Sequence, residues 1–279
     1  MTMNLAPAAF DFLPAQPGMA NHFDDYIELR DHISQEGFPV LFYQFVVPPE
    51  HPGRCPLIPG GCIDILFPFG AQVSGPMVIG GVRSRTLSLQ PGTTYFGARL
   101  LPVPLAPHSL IPVKKLANSC VPLGEFLPAR LCSMLRLPPE GGSFFSRISL
   151  FQEGITRITA LAPLGGDREP KGLGPAIDRI CEARGNISLS HLSGIANCSS
   201  RHFRSLFEAY VGIPPKTFCQ IVRFQSAVRQ LLQPGKIAFS NVVSESGYYD
   251  QAHFIREFKK FSRECPTVWL THLLQKNHN

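Results

Sequence analysis

The chain has 279 residues, room for one large domain or two ordinary ones, and its 44% hydrophobic and 16% charged residues exclude a disordered chain. With 27 prolines and 24 glycines it is not helical throughout. The formal charge of +6 is uneven: 13 Lys+Arg balance 13 Asp+Glu before Gly174, whereas 13 oppose 7 after it, so a basic last third suited to a polyanionic partner follows a neutral, proline-rich part.

The N-terminus, MTMNLAPAAFDFLPA, has neither a basic n-region nor a long apolar stretch, so no secretory signal is expected and the location expected is the cytoplasm. No run of about 18 apolar residues suggests a membrane span. Next come short apolar, β-branched or aromatic runs separated by Gly and Pro: residues 41–47, 62–67, 77–82, 86–89 and 95–101. Strands at this spacing point to a β-sandwich or barrel. Within these strands Asp64 and Arg99 are the charged residues among apolar ones. They either pair with each other or meet a polar ligand inside the domain.

His22, His32, His51 and His108 are isolated, and the eight cysteines form no C-x-x-C and have no His at zinc spacing. No metal is expected. No P-loop, dinucleotide fingerprint or G-x-S-x-G motif is present, so neither a cofactor nor an enzymatic activity is expected. Cys55 and Cys62 are the candidates for an oxidant-sensing pair, on proximity alone. Residues 123–137 and 144–161 then carry apolar positions at three- and four-residue spacing, which predicts two or more helices. The run Gly165 to Gly172 reads as a linker. The expected division is a β-rich domain over 1–164, a linker over 165–174 and an all-helical domain over 175–279.

In the last third the helical period is clear. Ala176, Ile177, Ile180 and Cys181 mark one helix ending at Gly185. Leu189, Leu192, Ile195 and Ala196 mark a second. Ser199 caps a third carrying Phe203, Leu206, Phe207 and Tyr210, stopped by Gly212. Two short helices joined by a tight turn make a helix-turn-helix outline. That unit recurs. His202-Phe203, Phe207, Tyr210 and Pro215 reappear 51 positions later as His253-Phe254, Phe258, Phe261 and Pro266, after a turn one residue longer. Between the copies, 215–233 predicts a connecting helix of about 28 Å, comparable with the roughly 34–36 Å turn of B-DNA. His202 and His253 each adjoin a core Phe, which favours packing or capping over metal binding.

Residues 187–272 resemble the DNA-binding domain of AraC/XylS-type transcriptional regulators. The motifs that carry the resemblance are Arg201-His202-Phe203-Arg204-Ser205-Leu206-Phe207, Gly212-Ile213-Pro214-Pro215, Arg223-Phe224-Gln225-Ser226-Ala227 and, most specifically, the stretch Gly247 to Phe261. The chain departs from the pattern at Arg263, where such proteins usually carry Gly, and at Cys265, where they carry Thr or Ser. The resemblance implies a double helix-turn-helix that reads two major-groove segments. With the Phe residues inward, Ser200, Arg201, Arg204 and Ser205 on one recognition helix, and Gln251, Ala252, Ile255 and Arg256 on the other, become the base readers. Arg suits guanine, Gln suits adenine, and Ala or Ile suits a thymine methyl. Lys259 and Lys260 are assigned to phosphate. Arg204→Ala and Arg256→Ala are expected to relax preference at one half-site each, Lys260→Ala to weaken all duplexes equally.

The N-terminal strands, with Pro59-Gly60-Gly61-Cys62-Ile63-Asp64 and Tyr95-Phe96-Gly97-Ala98-Arg99, resemble a cupin-like, uncharacterised subgroup of these regulators. The fold expected is therefore α+β in two domains: an N-terminal β-rich cupin-like sandwich or barrel with helices, and a C-terminal all-α double helix-turn-helix. The function expected is sequence-specific transcriptional regulation, with an N-terminal half that senses a small molecule or dimerises. Double-stranded DNA is the expected partner. RNA polymerase, a small-molecule effector and a second copy of the chain are further candidates. The competing readings are a DNA-tethered enzyme with a β-barrel catalytic domain and a ligand-free adaptor.

Overall fold

The computed structural model describes residues 12–33, 37–70, 74–137, 142–163, 172–233 and 239–275. After the short helix α1 (Pro17–His22), eight strands follow: β1 (Asp24–Ile33), β2 (Phe38–Val46), β3 (Arg54–Leu57), β4 (Ile63–Phe69), β5 (Met77–Gly80), β6 (Arg85–Ser88), β7 (Thr94–Leu100) and β8 (Cys120–Pro122). Six form one antiparallel sheet in the order β1-β2-β7-β4-β5-β8, and β3 pairs with β6 in a second sheet. The two sheets pack face to face through Tyr43, Phe45, Leu66, Ile79 and Tyr95 on one side and Cys55, Leu57, Leu87 and Leu89 on the other, which makes a sandwich.

Each of the five strands expected from its apolar run is present, within three residues at its ends. The strands that were not expected, β1, β3 and β8, lack that pattern. β1 carries Asp24, Asp25, Glu28, Arg30 and Asp31. It lies at the sheet edge, where charge is tolerated and discourages pairing with other chains. On the opposite face of the large sheet, α4 (Phe144–Ala160) covers Phe42, Phe67 and Phe96 with Phe144, Ile148, Phe151 and Ile155. Ser143 caps it by accepting from Ser146 N. Residues 123–137, expected as helix, are shorter pieces: α2 (Leu123–Phe126), α3 (Ala129–Cys132) and a 3-10 turn over Ser133–Leu135. Pro128 cannot donate a backbone hydrogen bond and so separates the two helices.

The C-terminal half is all helical: α5 (Leu173–Glu182), α6 (Leu189–Ile195), α7 (Ser200–Val211), α8 (Pro215–Leu231), α9 (Phe239–Glu245), α10 (Gln251–Ser262) and α11 (Pro266–Gln275). α5 begins inside the interval expected as linker, whose residues 165–171 lie outside the described ones. The two halves do not have separate cores. Phe12, Ile58, Cys62 and Val103 belong to the same buried cluster as Phe203, Phe207, Phe218 and Phe224, and Phe12 meets Phe218 edge-on at 5.3 Å.

Asp178, on α5, is half-buried, and burial followed by the neighbouring Glu182 raises its carboxyl from 3.8 to about 6. Its Oδ1 has no hydrogen-bond partner among the described residues. The stability linked to this group is therefore fully present below pH 3.8 and is lost as pH rises through about 6. Asp178→Asn should raise the melting temperature at pH 7.5, with the gain shrinking to nothing below pH 4. Thermal melts across that range check this, and an equal gain at both ends would contradict it.

Candidate nucleic-acid interface

Two copies of one local unit build the candidate interface. In the first, Ser199 accepts at 3.2 Å from His202 N and starts α7. In the second, Asp250 accepts at 2.7 Å from His253 N and starts α10. Each such cap contributes roughly 1 kcal/mol. A left-handed residue shapes each turn: Asn197 at φ 49° and Gly247 at φ 78°. Each recognition helix also ends left-handed, at Gly212 (φ 86°) and at Arg263 (φ 71°). Arg263 thus holds, in place of Gly, a conformation that costs a side chain roughly 1–2 kcal/mol. The helix that follows is nevertheless packed: Trp269 is buried, and its ring meets Phe258 at 5.5 Å.

The inward faces hold the helices against the connector α8. Phe207 packs on Phe218, and Phe258 and Phe261 pack on Phe224, with centroids 5.1–5.5 Å apart. α8 has 17 residues, about 25 Å, and stops at Leu231, two residues before the expected end. The second copy has a further tie. Arg223 of α8 bonds the buried Glu257 of α10 at 2.9 Å and lies over the Tyr248 ring. His253 Nε2 lies 3.7 Å from Glu257, beside its core neighbour Phe254. Sequence reading missed this clamp, because Glu257 sits in a signature stretch whose exposed neighbours drew the assignment. Its counterpart in the first copy is the apolar Leu206, and that asymmetry was the available signal.

On the outward faces Arg201, Arg204, Ser205, Gln251, Ala252, Arg256 and Lys259 are exposed. Arg201, Arg204, Arg256 and Lys259 have no hydrogen-bond or ion-pair partner among the described residues. Three assigned residues sit differently. Ser200 Oγ pairs with Ser193 Oγ of the preceding helix at 3.0 Å. Ile255 is half-buried against the helical core. Lys260 turns back onto α8, 2.9 Å from Gln220 Oε1 and over the Phe261 ring. The 3.6-residue period places all three near the boundary of the inward face, and packing decides such positions.

The N-terminal half grips the recognition helices at their C-terminal ends. Gly212 meets Val113, where an added Cβ would lie 3.0 Å from Val113 O. Ser84, in the loop between β5 and β6, donates to Phe261 O at 2.5 Å and accepts from Arg263 Nη2 at 3.1 Å. Between these grips a strap, Leu13 to Gln16, runs along α8. Gln225, 1% exposed, donates to Pro59 O at 2.6 Å and accepts from Ala15 N at 3.0 Å. Arg229 donates to Leu13 O at 2.6 Å.

The strap's other side meets Arg99. Asp64 and Arg99 are direct cross-strand partners on β4 and β7, 2.8 Å apart and buried. Tyr43 donates to Asp64 Oδ1 at 2.7 Å, and Arg99 Nη1 donates to Pro14 O at 2.9 Å. The pair therefore faces neither bulk water nor an open barrel mouth. Burial is the largest single influence and opposes the guanidinium charge, but Asp64, Tyr43 and Tyr26 together outweigh it, so the Arg99 pKa moves up. Burial, then Asp64, pushes the Tyr43 hydroxyl well above its ordinary range. Gly97 permits this packing: a Cβ there would overlap Tyr43 Cζ. The Cys55 thiol is pushed up by burial to about 12, and Cys62 is buried and raised as well, the reverse of an activated thiolate. Among the described residues no three His, Cys, Asp or Glu side chains gather as a metal site, and no helix is long and apolar enough to cross a membrane.

A family model described as a helix-turn-helix domain matches residues 192–272. This segment is a helix-turn-helix domain of the AraC type. An 81-residue stretch is 30% identical to an uncharacterized HTH-type transcriptional regulator of Haemophilus influenzae (strain ATCC 51907 / DSM 11121 / KW20 / Rd), covering 29% of this chain and 27% of that protein. Among solved structures the chain is similar to ToxT from Vibrio cholerae O395, at 12% identity and a TM-score of 0.40, over 90% of this chain and 94% of that one. It is also similar to unsaturated fatty acid-bound wild-type ToxT from Vibrio cholerae strain SCE256, at 11% identity and a TM-score of 0.37, over 89% and 96%. At such scores no property of ToxT passes to this chain. Arg201, Arg204 and Arg256 are thus exposed arginines on the outward helix faces of a helix-turn-helix domain, and Gln225 and Glu257 fasten that domain from within.

Removing one member of the buried pair strands the other. Asp64→Ala should destabilise the chain by about 3–5 kcal/mol, and Tyr43→Phe by about 1 kcal/mol. Urea titrations measure both. A cost for Asp64→Ala no larger than that for Tyr43→Phe would show that Arg99 finds water once its partner is gone.

Proposed function

We propose that this chain is a sequence-specific transcriptional regulator that binds double-stranded DNA through α7 and α10, each in one of two successive major-groove segments. One observation carries the reading. Two copies of a cap–helix unit, packed on one connector, hold exposed arginines that have no partner among the described residues on their outward faces, while their C-terminal ends are occupied by the N-terminal half. Recognition helices read base edges with their N-terminal residues, and those ends remain accessible. Arg204 and Arg256 reach bases. Arg201 and Lys259 stand at the flanks as base or phosphate contacts. Ser205, Gln251 and Ala252 complete the outward faces. Ser200, Ile255 and Lys260 contribute less than their exposed neighbours, because each already has a protein partner.

The N-terminal sandwich sets how the two recognition helices are held. A small-molecule effector, or a second copy of the chain, would act by favouring one docking of the two halves over another, and dimerisation would raise the effective concentration of a second DNA-binding domain. Asp64 and Arg99 serve this coupling by holding the strap; an effector that reached Arg99 would compete with Pro14 O. RNA polymerase is the further partner of such a regulator. Chemistry at a Cys55 or Cys62 thiolate is disfavoured, because burial raises both thiols.

The test uses the full-length chain and duplexes that it selects from a randomised pool. Binding should weaken steeply with salt, with a log–log slope of about −0.9 per phosphate neutralised. Arg204→Ala and Arg256→Ala should each cost about 1–3 kcal/mol on the selected duplex and relax preference at different half-sites. Equal losses on selected and scrambled duplexes would reassign both to phosphates. A folded chain with no affinity for any duplex at low salt would refute the proposal.

A further inference from the structure

The two helix-turn-helix copies are not equivalent where each turn enters its recognition helix. The left-handed turn residues, Asn197 and Gly247, are 50 positions apart, whereas the caps, Ser199 and Asp250, are 51 apart. One extra residue therefore lies between turn and cap in the second copy. Cys198 alone fills this space in the first; Tyr248 and Tyr249 fill it in the second. The two tyrosines have opposite fates. Tyr248 is 5% exposed, its ring set edge-on against His253 and Phe254 and covered by the Arg223 guanidinium. Tyr249 is 93% exposed. It makes no hydrogen bond, ion pair or ring contact among the described residues.

Both neighbours of Tyr249 are fixed, Tyr248 by burial and Asp250 by its cap to His253 N. The extra residue is thus displayed from a rigid turn at the N-terminal end of α10, the end that approaches the groove. A displayed group loses little conformational freedom on binding. Its chemistry is a neutral hydroxyl at the tip of a long, flat ring, and tyrosine hydroxyls are among the groups that hold phosphate oxygens and set a protein's register on the duplex.

We propose that Tyr249 is a DNA-contacting residue, its hydroxyl donating a hydrogen bond to a backbone phosphate beside the groove segment entered by α10. This rests on the DNA-binding reading. It adds a contact that the first copy lacks, so the two half-sites are clamped unequally and the domain's direction on the duplex is defined.

The test compares full-length wild-type protein with Tyr249→Phe, Tyr249→Ala and Arg256→Ala by fluorescence anisotropy. The probes are a duplex selected by the wild type from a randomised pool and a scrambled duplex of the same length, each at two salt concentrations. Tyr249→Phe should lose roughly three- to tenfold in affinity, by the same factor on both duplexes, with no change in salt slope because no charge is removed. Arg256→Ala should instead lose more on the selected duplex. Both Tyr249 variants should melt with the wild type, since the side chain supports nothing in the fold. Unchanged binding by Tyr249→Phe overturns the proposal whatever Tyr249→Ala does, and so does a loss confined to the selected duplex. A folded wild type with no affinity for any duplex at low salt defeats the DNA-binding reading itself, and is seen before any variant is tested.

Discussion

Arg99 is buried to 1% exposure and has to be satisfied from every side. Asp64 supplies the counter-charge, Tyr43 completes the carboxylate, and Pro14 O takes a guanidinium donor that the sandwich itself leaves open. Burying such a charge is costly unless its hydrogen bonds are complete. The strap carrying Pro14 therefore has to lie across this end of the sandwich. Once there, its outer edge presents Leu13 O and Ala15 N to α8, where Arg229 and Gln225 receive them. The electrostatics of the β-domain and the placement of the connecting helix are two sides of one short segment.

The coupling reaches both copies of the helix-turn-helix. α8 carries the aromatic ring contacts that position α7 and α10, and separate contacts from Val113 and Ser84 hold their far ends. A shift of the N-terminal half would move both recognition helices together, because their packed interfaces allow few alternatives. Arg263 shows the same logic on a small scale. Its left-handed backbone is costly for arginine, and its side chain reaches the carbonyl of Ser84 in the other half.

Charge on the helical half is divided by burial. Arg223 and Arg229 are spent inside, on Glu257 and on the strap, while Arg201, Arg204, Arg256 and Lys259 stay solvated. A net charge counted along the sequence cannot separate these groups. The separation comes from which face of a helix meets α8, and at the margins from packing, as Ser200, Ile255 and Lys260 show.

Much was legible in the sequence because it is local. Helical period, cap residues and the 51-residue repeat placed α5 to α10, and apolar runs between Gly and Pro placed five of the eight strands among the described residues, since each of these signals is written in neighbouring side chains. The outward arginines followed from the same period. Long-range pairing was not legible. Nothing within β4 or β7 says that Asp64 stands opposite Arg99, because register depends on which strands become neighbours. The charged edge strand β1 carried no such signal, since solvent on its outer side relaxes the apolar alternation. The strap on α8, the Arg223–Glu257 clamp and the shared core of the two halves join residues up to 216 positions apart. Tertiary structure alone decided them, because a buried donor is satisfied by whichever carbonyl the fold brings to it, and sequence distance carries no trace of that choice.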